Sequence, residues 1–327
     1  MRVVYPAGTD NVGDELNAWM WRELIGDCSN DGVALLGVGS ILNKDFCSRL
    51  HDARQIVVLG TGAGYGPLPL IDDRWTFHAV RGPRTAAKLG LPADAAVADA
   101  AYLLATLDWQ PVSPGPTKRT VVIPHHRSLK LIDWETLCEA HGLSLLSPLL
   151  PVDVFFRRLS EASFVLAEAM HGAILADILR IPWRSFSFGG QFNQEKWLDW
   201  AEALELPLNI TPLEGFYDPS WCLADRSAFH HIGTALKSGL AKRGLGKAKW
   251  RRVNAPAFSV DASLEQFASG LLRLSNQEGQ MTSDSVLERR VSQLYERLNN
   301  IRRIHGLPEK QVLRGKAQSF FAAELQR

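Results

Sequence analysis

His171 stands at a predicted strand-to-helix step and could carry a proton there. It follows the apolar run 164–167 and precedes a buried helix that Pro182 ends, so we predict it at the carboxyl end of a parallel strand. Ligands of open α/β sheets bind at this edge, and the N–H groups of a helix N-terminus attract anions. A histidine beside a bound anion can hold a proton near neutral pH. The alternative is a structural histidine that caps the helix.

Arg81 and Arg84 lie at a second strand-to-helix step. They follow the predicted strand 77–80, and Pro83 suits the first turn of the helix that comes next. A guanidinium group binds a carboxylate or a phosphate through two parallel hydrogen bonds. The sequence therefore predicts a clamp for an anionic substrate. The alternative is that these arginines pair with acidic neighbours on the surface.

Other predicted strand ends also carry polar residues or glycines. In the first loop Asn11 and Gly13 would let backbone N–H groups approach a ligand, and Asp14 could cap the following helix. The alternative for this loop is a capped turn without a ligand. The predicted substrate-binding residues at all these ends are Asn11, Gly13, Asp14, Gly39, Gly62, Arg84, Asp99, His125 and His126.

Neither a nicotinamide cofactor nor a metal is predicted. The glycine loops 37–40 and 60–64 do not fit the GxGxxG pattern, because the second runs into Pro67 where that pattern needs a helix. His125 and His126 are adjacent, but we find no carboxylate or cysteine placed to complete a metal site. For these two histidines, contact with an anion and exposure to solvent are both open.

The composition indicates how many domains to expect and which classes of protein to exclude. A chain of 327 residues that is 46% hydrophobic suits two domains, and 36 Lys and Arg against 35 Asp and Glu give no global argument for nucleic-acid binding. The cysteines are far apart and show no CxxC spacing, so we expect reduced, mostly buried thiols. The N-terminus lacks a signal-peptide pattern, and no apolar run is long enough to span a bilayer. We expect a cytosolic protein.

The chain divides by pattern into two α/β domains and a helical tail. Residues 1–112 form the first predicted domain, a proline-rich linker follows, and residues 118–222 form the second. Helices dominate the tail, 223–327. Its cations from 237 to 252 surround Trp250, a pattern that fits either contact with an anionic membrane surface or a solvated linker.

A short hydrophobic stripe runs through 287–301 in that tail. Its members are Leu287, Val291, Leu294, Leu298 and Ile301. Their 4-3-4-3 spacing covers about two heptads, fewer than a confident coiled coil needs. One interpretation is a homodimer interface, and the other is a tail that returns to pack on the body, with the N-terminal domain as the candidate surface.

Taken together, these motifs resemble the polysaccharide pyruvyltransferase family from about residue 1 to 190. The motifs that carry the resemblance are Asn11-Val12-Gly13-Asp14, Gly37 and Gly39, Gly60-Thr61-Gly62, Val80-Arg81-Gly82-Pro83-Arg84-Thr85, Asp99, and Met170-His171-Gly172-Ala173. The sequence departs from the family pattern after Asp99, where Ala100 and Ala101 replace an acidic-Pro-Ala step.

The resemblance implies a GT-B-like fold, in which two Rossmann-like domains face a cleft, with a helical C-terminal extension. It implies transfer of pyruvate from phosphoenolpyruvate, the donor substrate, to a sugar of an exopolysaccharide subunit as a ketal, without cofactor or metal. Arg81 would clamp the donor and His171 would act as acid and base. The implied acceptor is a saccharide on a lipid carrier, which would bring a cytoplasmic enzyme to the inner face of the membrane as a peripheral protein.

Two other functions compete with this one. A GT-B glycosyltransferase that uses a nucleotide sugar would place a diphosphate in the same cleft. A catalytically silent subunit of a polysaccharide assembly complex would need neither Arg81 nor His171, and the presence of both residues argues against it.

Overall fold

The computed structural model describes residues 1–9, 11–26, 32–107, 119–188, 192–213 and 260–308, with the side chains of 260–263 left out. The chain divides into two compact units, each of which takes in separate stretches of sequence. The first comprises Met1–Pro111, Asn193–Leu208 and Thr282–Arg327, and the second comprises Val112–Phe192 and Asn209–Met281. Among the described helices, none combines the length and the apolar character that crossing a membrane requires.

The first unit contains a four-stranded parallel sheet. Its strands, in spatial order, are β1 (Arg2–Val3), β2 (Val33–Leu36), β3 (Gln55–Leu59) and β4 (Trp75–Ala79). The inner strands are runs of Val, Leu and Ile that are buried almost throughout, as expected for a sheet with both faces covered. All four strands end at the same edge, where the predicted site residues of this unit follow.

Three α-helices of this unit connect or follow these strands. They are α1 (Val12–Ile25), α2 (Lys44–Cys47) and α3 (Pro83–Leu89). Asp14 and Glu15 lie in the first turn of α1, where negative charge stabilises a helix. Pro83 occupies the first turn of α3 as predicted, and Gly90 ends that helix in the left-handed conformation.

The predicted fifth strand, 95–98, is not a strand. A 3-10 turn at Ala93–Ala95 leaves only Ala96 alongside Val80, in an isolated bridge. A longer 3-10 helix, Ala100–Thr106, follows directly and is buried through most of its length. Residues 95–98 are Ala and Val, which suit a buried turn as well as a strand. Asp99 follows them and caps the second 3-10 helix by accepting a hydrogen bond from the Ala101 N–H.

The second unit contains a five-stranded parallel sheet in the order β6-β5-β7-β8-β9. Its strands are β5 (Arg119–Ile123), β6 (Ser144–Leu145), β7 (Ala162–Ala167), β8 (Trp183–Ser187) and β9 (Ile210–Pro212). Its helices are α4 (Trp134–Ala140), α5 (Val152–Ser160) and α6 (Met170–Ile178). The prediction of two parallel α/β sheets is confirmed, and the finer GT-B-like arrangement stays a prediction.

Helix α7 (Gln194–Ala203) corrects the predicted domain division. Its position in the sequence predicted that it belongs to the second domain, 118–222, but it lies in the first unit. Its tryptophan Trp200 is fully buried and donates a hydrogen bond to the Tyr102 hydroxyl at 3.2 Å. This pairing across 98 residues is long-range, so chain order alone did not indicate it.

The two described helices of the tail belong to different units. Helix α8 (Val260–Ser275) lies in the second unit and α9 (Asp284–His305) in the first, so 223–327 is not one domain. The side chains Leu287, Leu294, Leu298 and Ile301 are fully buried, and Arg302 donates to the Leu24 carbonyl at 2.6 Å. The stripe thus packs on the body of its own chain, the second of the two interpretations. The basic segment 237–252 lies outside the described residues.

Candidate active site

The two glycine loops of the first unit are joined to each other. The Gly62 N–H and the Thr61 hydroxyl both donate to the Gly39 carbonyl, at 3.0 and 2.8 Å. Gly39 has a φ of +118°, which favours glycine. A Cβ on Gly62 would lie 2.3 Å from Cζ of Arg81. Both glycines therefore serve the close packing of these loops, and ligand contact by either stays a prediction.

Arg81 is the centre of this packing. Its side chain is fully buried, and its guanidinium donates to Asp199 Oδ2, Ser40 Oγ and the Ala63 carbonyl, at 3.0, 2.5 and 3.0 Å. A donor clamp needs N–H groups that face the substrate, whereas these face the protein. Arg81 therefore positions the loops after β2 and β3, and its role as the donor clamp stays a prediction.

Asp199 is a site residue that sequence reasoning missed. Besides Arg81, its carboxylate accepts hydrogen bonds from the Thr85 backbone N–H at 2.8 Å and from the Thr85 hydroxyl at 2.6 Å. It thus ties α7 to the first turn of α3. A signal was present, because Asn193, Lys196 and Asp199 repeat every third residue of this helix and share one face.

Arg84 pairs with acidic neighbours on the surface, which is the alternative that the sequence left open. It is 33% exposed and pairs with two glutamates of α7, Glu202 at 2.6 Å and Glu195 at 3.1 Å. The hydrogen bond with Glu202 is the largest cause that raises the pKa of the guanidinium above its usual range. Arg84 therefore fastens α3 to α7, and contact with the donor stays a prediction for this residue.

Asp99 is a fully buried carboxyl group. Its Oδ1 accepts a hydrogen bond from the Ala101 N–H at 3.0 Å. Burial raises the pKa of Asp99 to about 6, and the positive charge of Arg81 opposes that rise. The group can therefore change its protonation state near neutral pH. Its predicted contact with substrate stays a prediction.

The first loop is a hydrogen-bonded turn around Asp14. The Oδ2 atom of Asp14 accepts hydrogen bonds from the Thr9 hydroxyl and from the Asn11 amide, both at 3.0 Å. Burial raises the pKa of Asp14, although these two hydrogen bonds lower it. Gly13 is buried within the first turn of α1. These hydrogen bonds connect Thr9 and Asn11 to the start of α1, and binding of substrate by this loop stays a prediction.

Lys196 is a second residue of α7 that sequence reasoning missed. Its ammonium group donates to the Tyr65 hydroxyl at 3.0 Å and lies 4.8 Å from the centre of that ring. Its charge lowers the pKa of both Asp14 and Asp99. The neighbouring Asn193 donates to the Gly64 carbonyl at 2.5 Å. Helix α7 thus adds a cation to the loops at the carboxyl edge of this sheet.

In the second unit, His171 lies where the sequence predicted it. Strands β5 and β7 are neighbours, and the N–H groups of Glu168 and Ala169 both donate to the Ile123 carbonyl, at 2.9 and 3.2 Å. His171 follows in the first turn of α6, and a Cβ on Gly172 would lie 2.9 Å from the Ile123 side chain. The half-buried histidine is therefore at the carboxyl edge of this sheet.

His125 and His126 follow β5 at this same edge of the second unit. Both are half-buried, and their ring centres lie 4.2 Å apart. Both rings are thus partly exposed to solvent, and the two alternatives stay open. Contact of either ring with an anion stays a prediction.

Glu168 is a buried carboxyl group that sequence reasoning did not single out. It accepts hydrogen bonds from the His125 N–H and the Ser128 hydroxyl, both at 2.9 Å, and from the Phe188 N–H. Burial nevertheless raises its pKa to about 8. Glu168 connects the loops that follow β5, β7 and β8. A glutamate at the end of an apolar strand was the available signal.

The described residues do not form a candidate metal site. They contain no group of three or more His, Cys, Asp or Glu side chains that could hold an ion. Cys47 and Cys138 are free and buried, as expected, and burial raises the pKa of their thiols to about 11 and about 12. Cys28 and Cys222 lie outside the described residues.

Comparison with known proteins finds sequence similarity over part of the chain. Residues 54–189 match the family model described as polysaccharide pyruvyl transferase. Over 200 residues the chain is 36% identical to the succinoglycan biosynthesis protein ExoV of Rhizobium meliloti (strain 1021). The aligned region covers 59% of this chain and 61% of that relative. No solved structure matches. Both matches confirm the resemblance: residues 54–189, which include Arg81, Asp99 and His171, are similar in sequence to polysaccharide pyruvyl transferases.

Proposed function

We propose that this chain transfers the pyruvate unit of phosphoenolpyruvate to two hydroxyl groups of one sugar in an exopolysaccharide subunit. The observation that carries the proposal is the match of residues 54–189 to the pyruvyl transferase family. The similarity to a protein of succinoglycan biosynthesis supports a saccharide acceptor. Because the chain spans 61% of that relative, the activity and both substrates are proposals for this protein.

The reaction needs a group that gives a proton and then accepts one. Protonation of the methylene carbon of phosphoenolpyruvate turns it into a methyl group and makes the neighbouring carbon electrophilic. The oxygens of two sugar hydroxyls bond to that carbon, the bond to phosphate breaks, and inorganic phosphate leaves. Of the two hydroxyl protons, one replaces the proton given to carbon and the other leaves on phosphate. His171, at the edge where ligands of parallel sheets bind, is our candidate for this acid and base.

The acceptor is proposed to be linked to a lipid carrier, so the protein would work at the inner face of the cytoplasmic membrane. We propose a GT-B-like arrangement of its two Rossmann-like units, without a metal or an organic cofactor. The basic segment 237–252 is the candidate for peripheral contact with anionic lipid. A glycosyltransferase that uses a nucleotide sugar is the competing function.

A transfer assay tests the proposal. The full chain is incubated with phosphoenolpyruvate and a lipid-linked oligosaccharide, and both phosphate release and the mass of the saccharide are followed. We expect phosphate release that depends on the acceptor, together with a saccharide heavier by one pyruvate less one water. A control without acceptor measures hydrolysis of the donor. Sugar transfer from a nucleotide sugar, with no reaction of phosphoenolpyruvate, would instead establish the competing function.

A further inference from the structure

We propose that Lys196 contacts an anionic oxygen of the donor substrate, with the Tyr65 hydroxyl beside it. This inference rests on the proposed function, because phosphoenolpyruvate is the donor that it assumes. It adds a second cation to the clamp that the sequence predicted at Arg81. Lys196 would thus be a substrate-binding residue that α7 brings to the first unit from a distant part of the chain.

Lys196 differs in one respect from the two arginines that were predicted to bind the donor. Arg81 has Asp199 at 3.0 Å, and Arg84 has glutamates at 2.6 and 3.1 Å. Among the described residues, no carboxylate oxygen lies within 4.0 Å of the ammonium group of Lys196, which is the distance limit for an ion pair. Its charge is therefore available to a ligand, whereas the charges of both arginines are neutralised in place.

The ammonium group is also held at the loops where a ligand would bind. A Cβ on Gly64 would lie 2.7 Å from Cγ of Lys196, so the aliphatic stem packs against the loop after β3. The ring and the hydroxyl of Tyr65 hold the charged end, at 4.8 and 3.0 Å. A lysine that is already ordered loses less side-chain entropy when a ligand binds. This favours Lys196 over a freely moving surface lysine.

Two acidic groups of the first unit interact with this charge. Asp14 and Asp99 both experience the positive charge of Lys196, since it lowers the pKa of each. Burial outweighs that effect and raises the pKa of both groups. Neither carboxylate forms an ion pair with Lys196, so an anionic ligand would supply its direct counter-charge.

The ligand chemistry is that of a single anionic oxygen. An ammonium group is a compact point charge with three donors, and it binds carboxylate and phosphate alike. Phosphoenolpyruvate carries both groups. Inorganic phosphate and pyruvate each carry one of them, so the two compounds serve as separate probes of which group Lys196 contacts.

Isothermal titration calorimetry on the full chain tests the inference, with phosphoenolpyruvate, inorganic phosphate and pyruvate as ligands. Lys196→Met keeps the stem and removes the charge, and Lys196→Arg keeps the charge. Lys88→Met, at an exposed lysine of α3 in the same unit, is the matched control. We expect Lys196→Met to weaken phosphoenolpyruvate binding by about 10- to 100-fold, the usual effect of losing a charged hydrogen bond. Lys196→Arg should lose less of its affinity for phosphoenolpyruvate, and Lys88→Met should bind with the affinity of the wild type.

The separate ligands decide which group is contacted. A loss of phosphate binding alone assigns Lys196 to the phosphate, and a loss of pyruvate binding alone assigns it to the carboxylate. Equal affinities of Lys196→Met and Lys88→Met for all three ligands would overturn the inference and leave the proposed function intact. If the wild-type protein binds no phosphoenolpyruvate, the proposed function fails and this inference fails with it. Lys196→Gln repeats the test if the methionine variant does not fold.

Discussion

Arg81 and Asp199 form a fully buried ion pair across 118 residues of sequence, with Nε and Nη2 of the arginine both 3.0 Å from Oδ2 of the aspartate. The same carboxylate accepts two hydrogen bonds from Thr85. A buried charge that keeps all its partners is tolerated, whereas one that loses its partner is costly. The pair therefore holds α7 against the loops that it completes.

Asp199→Asn should destabilise the protein strongly. The substitution leaves the guanidinium of Arg81 buried without its counter-charge, which costs about 3–5 kcal/mol. Glu202→Gln breaks the exposed pair with Arg84 and should cost about 0–1 kcal/mol. Urea unfolding curves of both variants give the two free energies of unfolding. Equal, small losses would show that the Arg81–Asp199 pair contributes little.

The hydrophobic stripe of α9 leads to a second prediction. Leu298 is fully buried within its own chain, so Leu298→Ala should cost about 2–5 kcal/mol through lost contacts and a cavity. Ile304 is 57% exposed on the same helix, and Ile304→Ala should change stability by about 0.5 kcal/mol or less. Thermal unfolding at several protein concentrations measures both. A midpoint that rises with concentration in the wild type but not in Leu298→Ala would indicate a homodimer through 287–301 instead.

Features that depend on residues close together in the sequence were predictable, and features that depend on residues far apart in the sequence were not. The position of His171 was predictable because β7, the turn and α6 are consecutive, and their periodicity is local. The strand-to-helix step at Arg81 was predictable for the same reason. Its chemical environment was not, because the carboxylate that neutralises it lies on α7, after four of the five strands of the second sheet in sequence.

Burial was the second property that the sequence did not reveal. Glu168 and Asp99 both end apolar runs, and a carboxylate at a strand end fits an exposed ligand site as well as a buried hydrogen-bonded group. Loops from β5 and β8 enclose Glu168, and only their three-dimensional arrangement shows this. The three-residue spacing of Asn193, Lys196 and Asp199 was a local signal in the sequence, but it did not show which loops these residues contact.

The carboxyl group of Glu168 predicts a specific dependence of stability on pH. Its pKa is raised from 4.5 to about 8 in the folded protein. Between these values the folded state binds more protons than the unfolded state, so stability falls as pH rises. Glu168→Gln cannot ionise and should lack this component. Free energies of unfolding at several pH values should show the wild type losing stability relative to the variant from about pH 4.5 to 8. Parallel curves would contradict the raised pKa.

His171→Ala distinguishes a proton carrier from a structural histidine. If His171 is the acid and base of pyruvyl transfer, the variant should fold and bind phosphoenolpyruvate, while its turnover falls by about 10² to 10⁴-fold. His141→Ala is a control in the same unit, because the His141 ring bonds the Leu137 carbonyl at 2.9 Å and Glu265 at 3.1 Å. That variant should lose stability without losing turnover per folded molecule.

Three measurements on these two variants decide the role of His171. Thermal stability gives the folded fraction, calorimetry gives the donor affinity, and single-turnover rates isolate the transfer step from product release. A structural histidine predicts that His171→Ala behaves like His141→Ala, with activity reduced only in proportion to the folded fraction. A stable His171→Ala protein with near-normal single-turnover rates would remove His171 from the mechanism, because a positioned acid or base cannot be lost without slowing the proton transfers that ketal formation requires.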